Sequence, residues 1–176
     1  MFTLVAGGAA SGKSGCAEEL ILQAGTQPRF YVATMQIFDD ECRARVERHR
    51  TLRAGKGFQT LECPMGLSGL RLPSSGAVLL ECISNLTANE LYAPGGAGWN
   101  TVQAVLDGVE NLLAQCSVLV VVTGDVFSGG SDYQGDTETY LRVLGQVNRA
   151  LAARADEVCE VVCGIPHYYK RGGRVL

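Results

Sequence analysis

The sequence lacks a Cys-x-x-Cys pair, a long apolar run, a basic surplus and an aromatic-rich stretch, and each shortage closes off a class of protein. No run approaches the roughly 20 apolar residues of a membrane helix, so no membrane association is expected. The 18 acidic side chains outnumber the 15 lysines and arginines, giving a net charge of -3 and a pI near 5.4. A polyanion such as nucleic acid is therefore not an expected partner. Aromatics make up 7% of the chain against a hydrophobic share of 47%, so the core should consist of Val, Leu, Ile and Ala. The seven cysteines are odd in number, and several lie in apolar runs. They read as free thiols packed as small hydrophobes in a reducing compartment. No basic n-region opens the chain, and Gly7 begins a glycine-rich loop where a signal sequence would stay apolar. A cytoplasmic protein is expected, and 176 residues suit one nucleotide-binding domain spanning 1–176.

Six apolar runs read as strands: Phe2 to Ala6, Phe30 to Ala33, Phe58 to Leu61, Ala77 to Cys82, Val118 to Thr123 and Glu157 to Val162. Val78 to Leu80 and Val118 to Val122 are apolar at successive positions, the pattern of strands covered on both faces. Between the strands lie helical stripes: Ala17, Leu20, Ile21 and Ala24; Val102, Val105, Leu106, Val109, Leu112 and Leu113; Tyr140, Leu141, Leu144, Val147 and Leu151. Asp136 or Thr137 is the expected N-cap of the last. Alternating strands and helices imply an α/β fold with a mostly parallel sheet and helices on both faces. Residues 93–98 and 127–135 read as loops, and the tail from Lys170 to Arg174 as loose.

Gly7-Gly8-Ala9-Ala10-Ser11-Gly12-Lys13-Ser14 fits G-x-x-x-x-G-K-[ST] in full, after an expected strand and before an expected helix. Small residues there let backbone N–H groups wrap phosphate oxygens at a helix N-terminus. Lys13 is the expected partner of the terminal phosphates, and Ser14 of Mg²⁺. The accompanying metal acid is Glu81 or Asp125, each beside the end of an expected strand. For either one, a capping or loop-side acid is an equal reading.

Asp39-Asp40-Glu41 resembles a helix start, and Arg43, Arg45, Arg48, Arg50 and Arg53 then surround His49. Such runs more often form a solvated helix face. The alternative is a phosphate-binding surface around a nucleophile, because nearby cations disfavour imidazolium and leave a neutral nitrogen to attack phosphorus. His167, in a Pro-His-Tyr-Tyr tail, reads as structural or exposed.

Together the loop, the run Tyr31 to Glu41, Ala44-Arg45-Val46 leading to His49, the strand Val78 to Ile83 with Asn89, and Leu144 to Asn148 followed by Ala155 to Val158 carry a resemblance along nearly the whole chain. The sequence resembles the bifunctional adenosylcobinamide kinase / adenosylcobinamide-phosphate guanylyltransferase family of cobalamin biosynthesis. The resemblance implies a P-loop NTPase fold of RecA-like type. It implies phosphorylation of adenosylcobinamide by a nucleoside triphosphate, then transfer of GMP from GTP to the product through a guanylylated histidine, here His49. The implied nucleotide contacts are the loop, Thr34, Met35, Gln36, Arg50, Arg53, Glu62 and Glu81, with GTP or ATP and Mg²⁺ as cofactors, Lys13 as a catalytic cation, and Ser14 and Glu81 on the metal. The implied partners are adenosylcobinamide and its phosphate, and the implied assembly is a homotrimer. Two departures stand out. Ala10 occupies a position where the family usually has Arg, and residues 124–133 lack the family's glycine and proline pattern. A chain with only one of the two activities, or one that binds nucleotide without turnover, would share the same loop.

Overall fold

A computed structural model of the chain describes residues 1–36, 39–126 and 134–176, without the side chains at 41, 42, 45, 48, 49 and 52. The elements run β1 (Phe2–Gly7), α1 (Lys13–Gln23), β2 (Arg29–Ala33), α2 (Asp40–Arg53), β3 (Phe58–Glu62), β4 (Ala77–Leu80), α3 (Ile83–Tyr92), α4 (Thr101–Gln115), β5 (Val118–Gly124), α5 (Asp136–Arg154), β6 (Glu157–Val162), β7 (Ile165–Arg171) and β8 (Arg174–Val175). One sheet has the order β3-β2-β4-β5-β1-β6-β7-β8. The first six strands are mutually parallel where they pair, while β7 and β8 are antiparallel.

The continuous apolar runs take the middle of the sheet. All of β4 is buried, and so is β5 up to Thr123. Alternate residues serve opposite faces. Val5, Tyr31, Leu79, Val120 and Val122 pack with Ala17 and Ile21 of α1. Leu4, Val32, Val78, Leu80 and Val121 pack beneath α3, α4 and α5. On α4 the buried positions Val105, Val109 and Leu112 follow helical spacing, each contributing about 1.5–3 kcal/mol by full burial. Parallel strands send every βα junction to one edge of the sheet, so β1, β2, β4 and β5 all deliver loops there.

Three expectations need correction. The tail is not loose: Ile165–Arg171 and Arg174–Val175 extend the sheet. Lys170 Nζ donates to the Ala152 and Ala153 carbonyls (3.2 and 3.0 Å), closing the C-terminus of α5. The N-cap of α5 is Gly135, without a side-chain cap, and Asp136 and Glu138 lie in the first turn, where they favour the helix dipole. The β4 run stops at Leu80 rather than Cys82, because Cys82 serves as the N-cap of α3, its sulfur accepting from Asn85 N at 3.4 Å. The expected loop at 127–135 lies, up to Tyr133, outside the described residues, as do Ile37 and Phe38.

Candidate active site

The loop between β1 and α1 is built around two glycines that no other residue can replace without displacement. A Cβ on Gly7 would lie 2.5 Å from Ser11 Oγ and 2.8 Å from the Val161 carbonyl oxygen. Gly12 has φ 92°, and a Cβ there would come within 3.1 Å of Gly164 Cα. Ala10 takes the left-handed region at φ 55°, a conformation that costs an L-residue roughly 1–2 kcal/mol. Neighbouring loops bracket this turn. Asp125 N donates to Gly7 O (2.9 Å), and Gly164 N donates to Ser11 O (2.8 Å). No side chain caps α1, so its first-turn N–H groups stay directed at the loop. Lys13 Nζ donates to Gly8 O at 2.9 Å, which holds the ammonium over the same space. Among the described residues, Ser11 Oγ is buried without a hydrogen-bond partner. The arrangement suits phosphate oxygens: a concave backbone, one cation and an unused hydroxyl donor.

A second group gathers under α2. Met35, Val46, Arg50, Arg53, Glu62 and Glu81 border a crevice of about 10 Å³, the room of a single water. It adjoins a hollow of about 410 Å³ reached past Arg50, Arg53 and Phe58, within the roughly 300–1,000 Å³ of small-molecule sites. Arg53 is 7% exposed and lies 3.4 Å over the Tyr31 ring, with its Nη1 buried and, among the described residues, unpartnered. A buried charged donor of this kind costs on the order of 1–3 kcal/mol or more until an acceptor meets it. Burial, and then the Glu81 carboxylate, push the Tyr31 phenol far up, so it stays protonated and bonded to Glu81. Arg50 joins Glu47 and Glu62 at 2.8 and 3.1 Å, and these pairs raise its pKa.

The structure therefore brings together five residues named from the resemblance, Met35, Arg50, Arg53, Glu62 and Glu81, and separates two others. Thr34 is fully buried. Its hydroxyl donates to Cys82 O (3.0 Å) and its N–H to Glu81 Oε2 (3.2 Å), bonds that tie it to Glu81 and the start of α3. Gln36 lines a different cavity, against α3. Tyr31 and Gly164 were missed by sequence reasoning. Tyr31 resembles any core aromatic, and Gly164 matters only through its contact with the loop. The ion pair of Lys56 with buried Glu18, which ties the exit of α2 to α1, was missed as well.

Position 49 lies within α2, on the helical face shared by positions 46, 50 and 53 by spacing alone. The His49 side chain itself lies outside the described residues. His167 is exposed on β7 and stacks edge-on with Tyr169.

The two candidate metal acids differ in place. Asp125 directly follows β5 and is bonded through its backbone to Gly7. Glu81 follows β4, and β5 separates that strand from β1, so Glu81 is about 10 Å away laterally. Among the described residues no cluster of three His, Cys, Asp or Glu forms a metal cage. A hydroxyl and one carboxylate suit Mg²⁺, which commonly takes its other ligands from phosphate and water. Among those residues, too, no helix is long and apolar enough to cross a membrane.

The family model described as cobinamide kinase / cobinamide phosphate guanyltransferase matches residues 3–168. The bifunctional adenosylcobalamin biosynthesis protein CobU of Salmonella typhimurium is 39% identical, covering 94% of this chain and 97% of that protein. CobU of Escherichia coli is 36% identical with the same coverage. CobP of Pseudomonas aeruginosa is 28% identical, covering 94% and 95%. Among solved structures, the flagellar accessory protein FlaH from Methanocaldococcus jannaschii superposes with a TM-score of 0.52 at 12% identity, covering 97% of this chain and 78% of that one, a likeness of fold alone. With nearly its whole length matched, the chain belongs to the cobinamide kinase / cobinamide phosphate guanyltransferase family.

Proposed function

We propose that this protein phosphorylates the aminopropanol hydroxyl of adenosylcobinamide with a nucleoside triphosphate and then converts the product to adenosylcobinamide-GDP with GTP. The supporting observation is the convergence of Met35, Arg50, Arg53, Glu62 and Glu81 on one crevice under α2, the helix that carries His49. In the kinase step the loop Gly7 to Ser14 holds the phosphates, and Lys13 offsets the charge that develops on the transferred group and the leaving diphosphate. In the second step a neutral His49 nitrogen bonds to the α-phosphorus of GTP as the bond to pyrophosphate breaks. A phosphate oxygen of adenosylcobinamide phosphate then takes the GMP group, and the imidazole is released. Splitting one displacement in two lowers each barrier. Mg²⁺ would be held by Ser14 and one acid, either Glu81 or the nearer Asp125, and would supply charge neutralisation at the phosphates. The reading includes one nucleotide-binding domain over 1–176, a homotrimer, and a cytoplasmic setting.

The test is incubation with α-labelled GTP. Acid-labile, alkali-stable label should appear on the protein and vanish in His49→Ala. Label that survives the substitution, or none on the wild type, would reject the histidine step. Feeding adenosylcobinamide and its phosphate separately then tells which transfer the chain performs.

A further inference from the structure

Met35 and Gln36 are consecutive beyond β2, yet they line different hollows. Met35 borders the arginine-lined crevice on the α2 side of the sheet. Gln36 borders a cavity of about 320 Å³ on the α3 side, with Asn89, Tyr92 and Pro94. Past Ala88 and Tyr92 a second cavity of about 260 Å³ runs on to Asp136, Thr137 and Tyr140 at the start of α5. Because Ala88 and Tyr92 wall both, the two form one trough along α3. Its frame is fixed: the Tyr92 hydroxyl donates to Asp136 O (2.5 Å), the Tyr140 hydroxyl to Ser84 O (3.3 Å), and Asn89 Nδ2 to Thr34 O (2.8 Å). The trough opens at the carboxyl ends of the strands, where ligands of parallel sheets collect.

Charge decides which ligand fits. Among the described residues, the polar groups lining the two cavities are amide, hydroxyl and carboxylate groups, in contrast to the arginine-lined crevice under α2. The wall is apolar along Ala88, Pro94 and the Tyr92 and Tyr140 rings. Amide and hydroxyl groups of Gln36 and Thr137 and one carboxylate, Asp136, stand among these walls. A corrin ring has the matching chemistry: apolar methylated edges, a fringe of neutral carboxamides and a net positive charge on the cobalt(III) centre.

We propose that the trough along α3 seats the corrin edge of the acceptor substrate. The carboxamides meet Gln36 and Thr137, and Asp136 faces the cationic ring. Residues 35 and 36 then divide the two substrates, with the nucleotide on the α2 side and the corrinoid on the α3 side. This rests on the cobinamide kinase reading and adds to it the location of the second substrate.

Trp99 is the chain's one tryptophan, so its quenching by the strongly absorbing corrin reports binding directly. Adenosylcobinamide should quench the wild type, and Ala88→Arg and Thr137→Arg should each weaken its Kd about tenfold or more, a loss of about 1.4 kcal/mol. The Kd for GTP should stay within about twofold, which also confirms that the variants fold. If Ala88→Arg no longer binds GTP, Thr137→Arg on the exposed rim decides. Unchanged adenosylcobinamide affinity in a variant that binds GTP overturns the trough alone. Equal losses for both ligands overturn the division of the substrates. A wild type that binds GTP and shows no quenching at all removes the cobinamide reading, and the trough with it.

Discussion

Arg53 shows how a single residue can be held ready for a ligand. Its guanidinium lies over the Tyr31 ring with one nitrogen buried and, among the described residues, unpartnered, although charged donors are rarely left so. Were the residue purely structural, removing the charge would change stability and leave binding alone. A ligand-facing role predicts the reverse. Arg53→Met keeps the aliphatic stem over the ring and removes the orphan donor, so the thermal midpoint should hold or rise. GTP affinity measured by calorimetry should fall about tenfold or more, the worth of a charge-assisted hydrogen bond of about 1.5–3 kcal/mol. An unchanged Kd with a lowered midpoint would assign Arg53 to packing. At this scale the sequence was legible where chemistry is local. Lys13 and the glycines follow from spacing, because a phosphate loop is a contiguous device. Thr34 and Gln36 were not separable from Met35, since adjacent residues past a strand diverge to opposite faces and only the fold says what awaits on each side.

Among the elements, the C-terminal hairpin shows what periodicity cannot see. Most of the β7 side chains are exposed and the run contains Pro166, so no apolar alternation marks it. Its order comes from backbone pairing with β6 and from Lys170 on the carbonyls of α5. Helix α3 escaped notice for a related reason: Thr87, Asn89 and Glu90 are buried polar groups, and they interrupt the apolar stripe. Glu90 accepts from Gly66 N and Ala97 N (2.7 and 3.0 Å), bonds between segments that no local pattern announces. The central strands, by contrast, were plain from sequence because burial on both faces leaves only apolar residues. The turn between β6 and β7 also supports the phosphate loop, through Gly164 N to Ser11 O. A chain ending at Cys163 should therefore lose nucleotide affinity as well as thermal stability. If truncation left both the melting temperature and the Kd for GTP in place, the hairpin would be an appendage after all.

For the molecule as a whole, the buried thiols set an alkaline limit on stability. Burial, and then neighbouring charge at Cys16, push the Cys159 thiol from its ordinary 9.0 up to about 12. Burial likewise carries Cys116 up to about 11, against the pull of the N-terminal ammonium. In the folded chain these groups keep their protons when the unfolded chain has released them. Between pH 9 and the folded values the unfolded state therefore binds fewer protons, and stability falls as pH rises. Their contribution is complete below about pH 9 and is spent by about pH 12. Urea midpoints measured at one-unit steps from pH 8 to 11 should be level at first and then decline. Cys159→Ala lowers the whole curve by creating a small cavity, yet it should flatten the decline, because one of the titrating groups is gone. The slope is thus the diagnostic quantity and the height is not. A variant whose midpoints fall as steeply as the wild type's would show that Cys159 ionises alike in both states, and the reading of these cysteines as packed hydrophobes would fail at its most buried member.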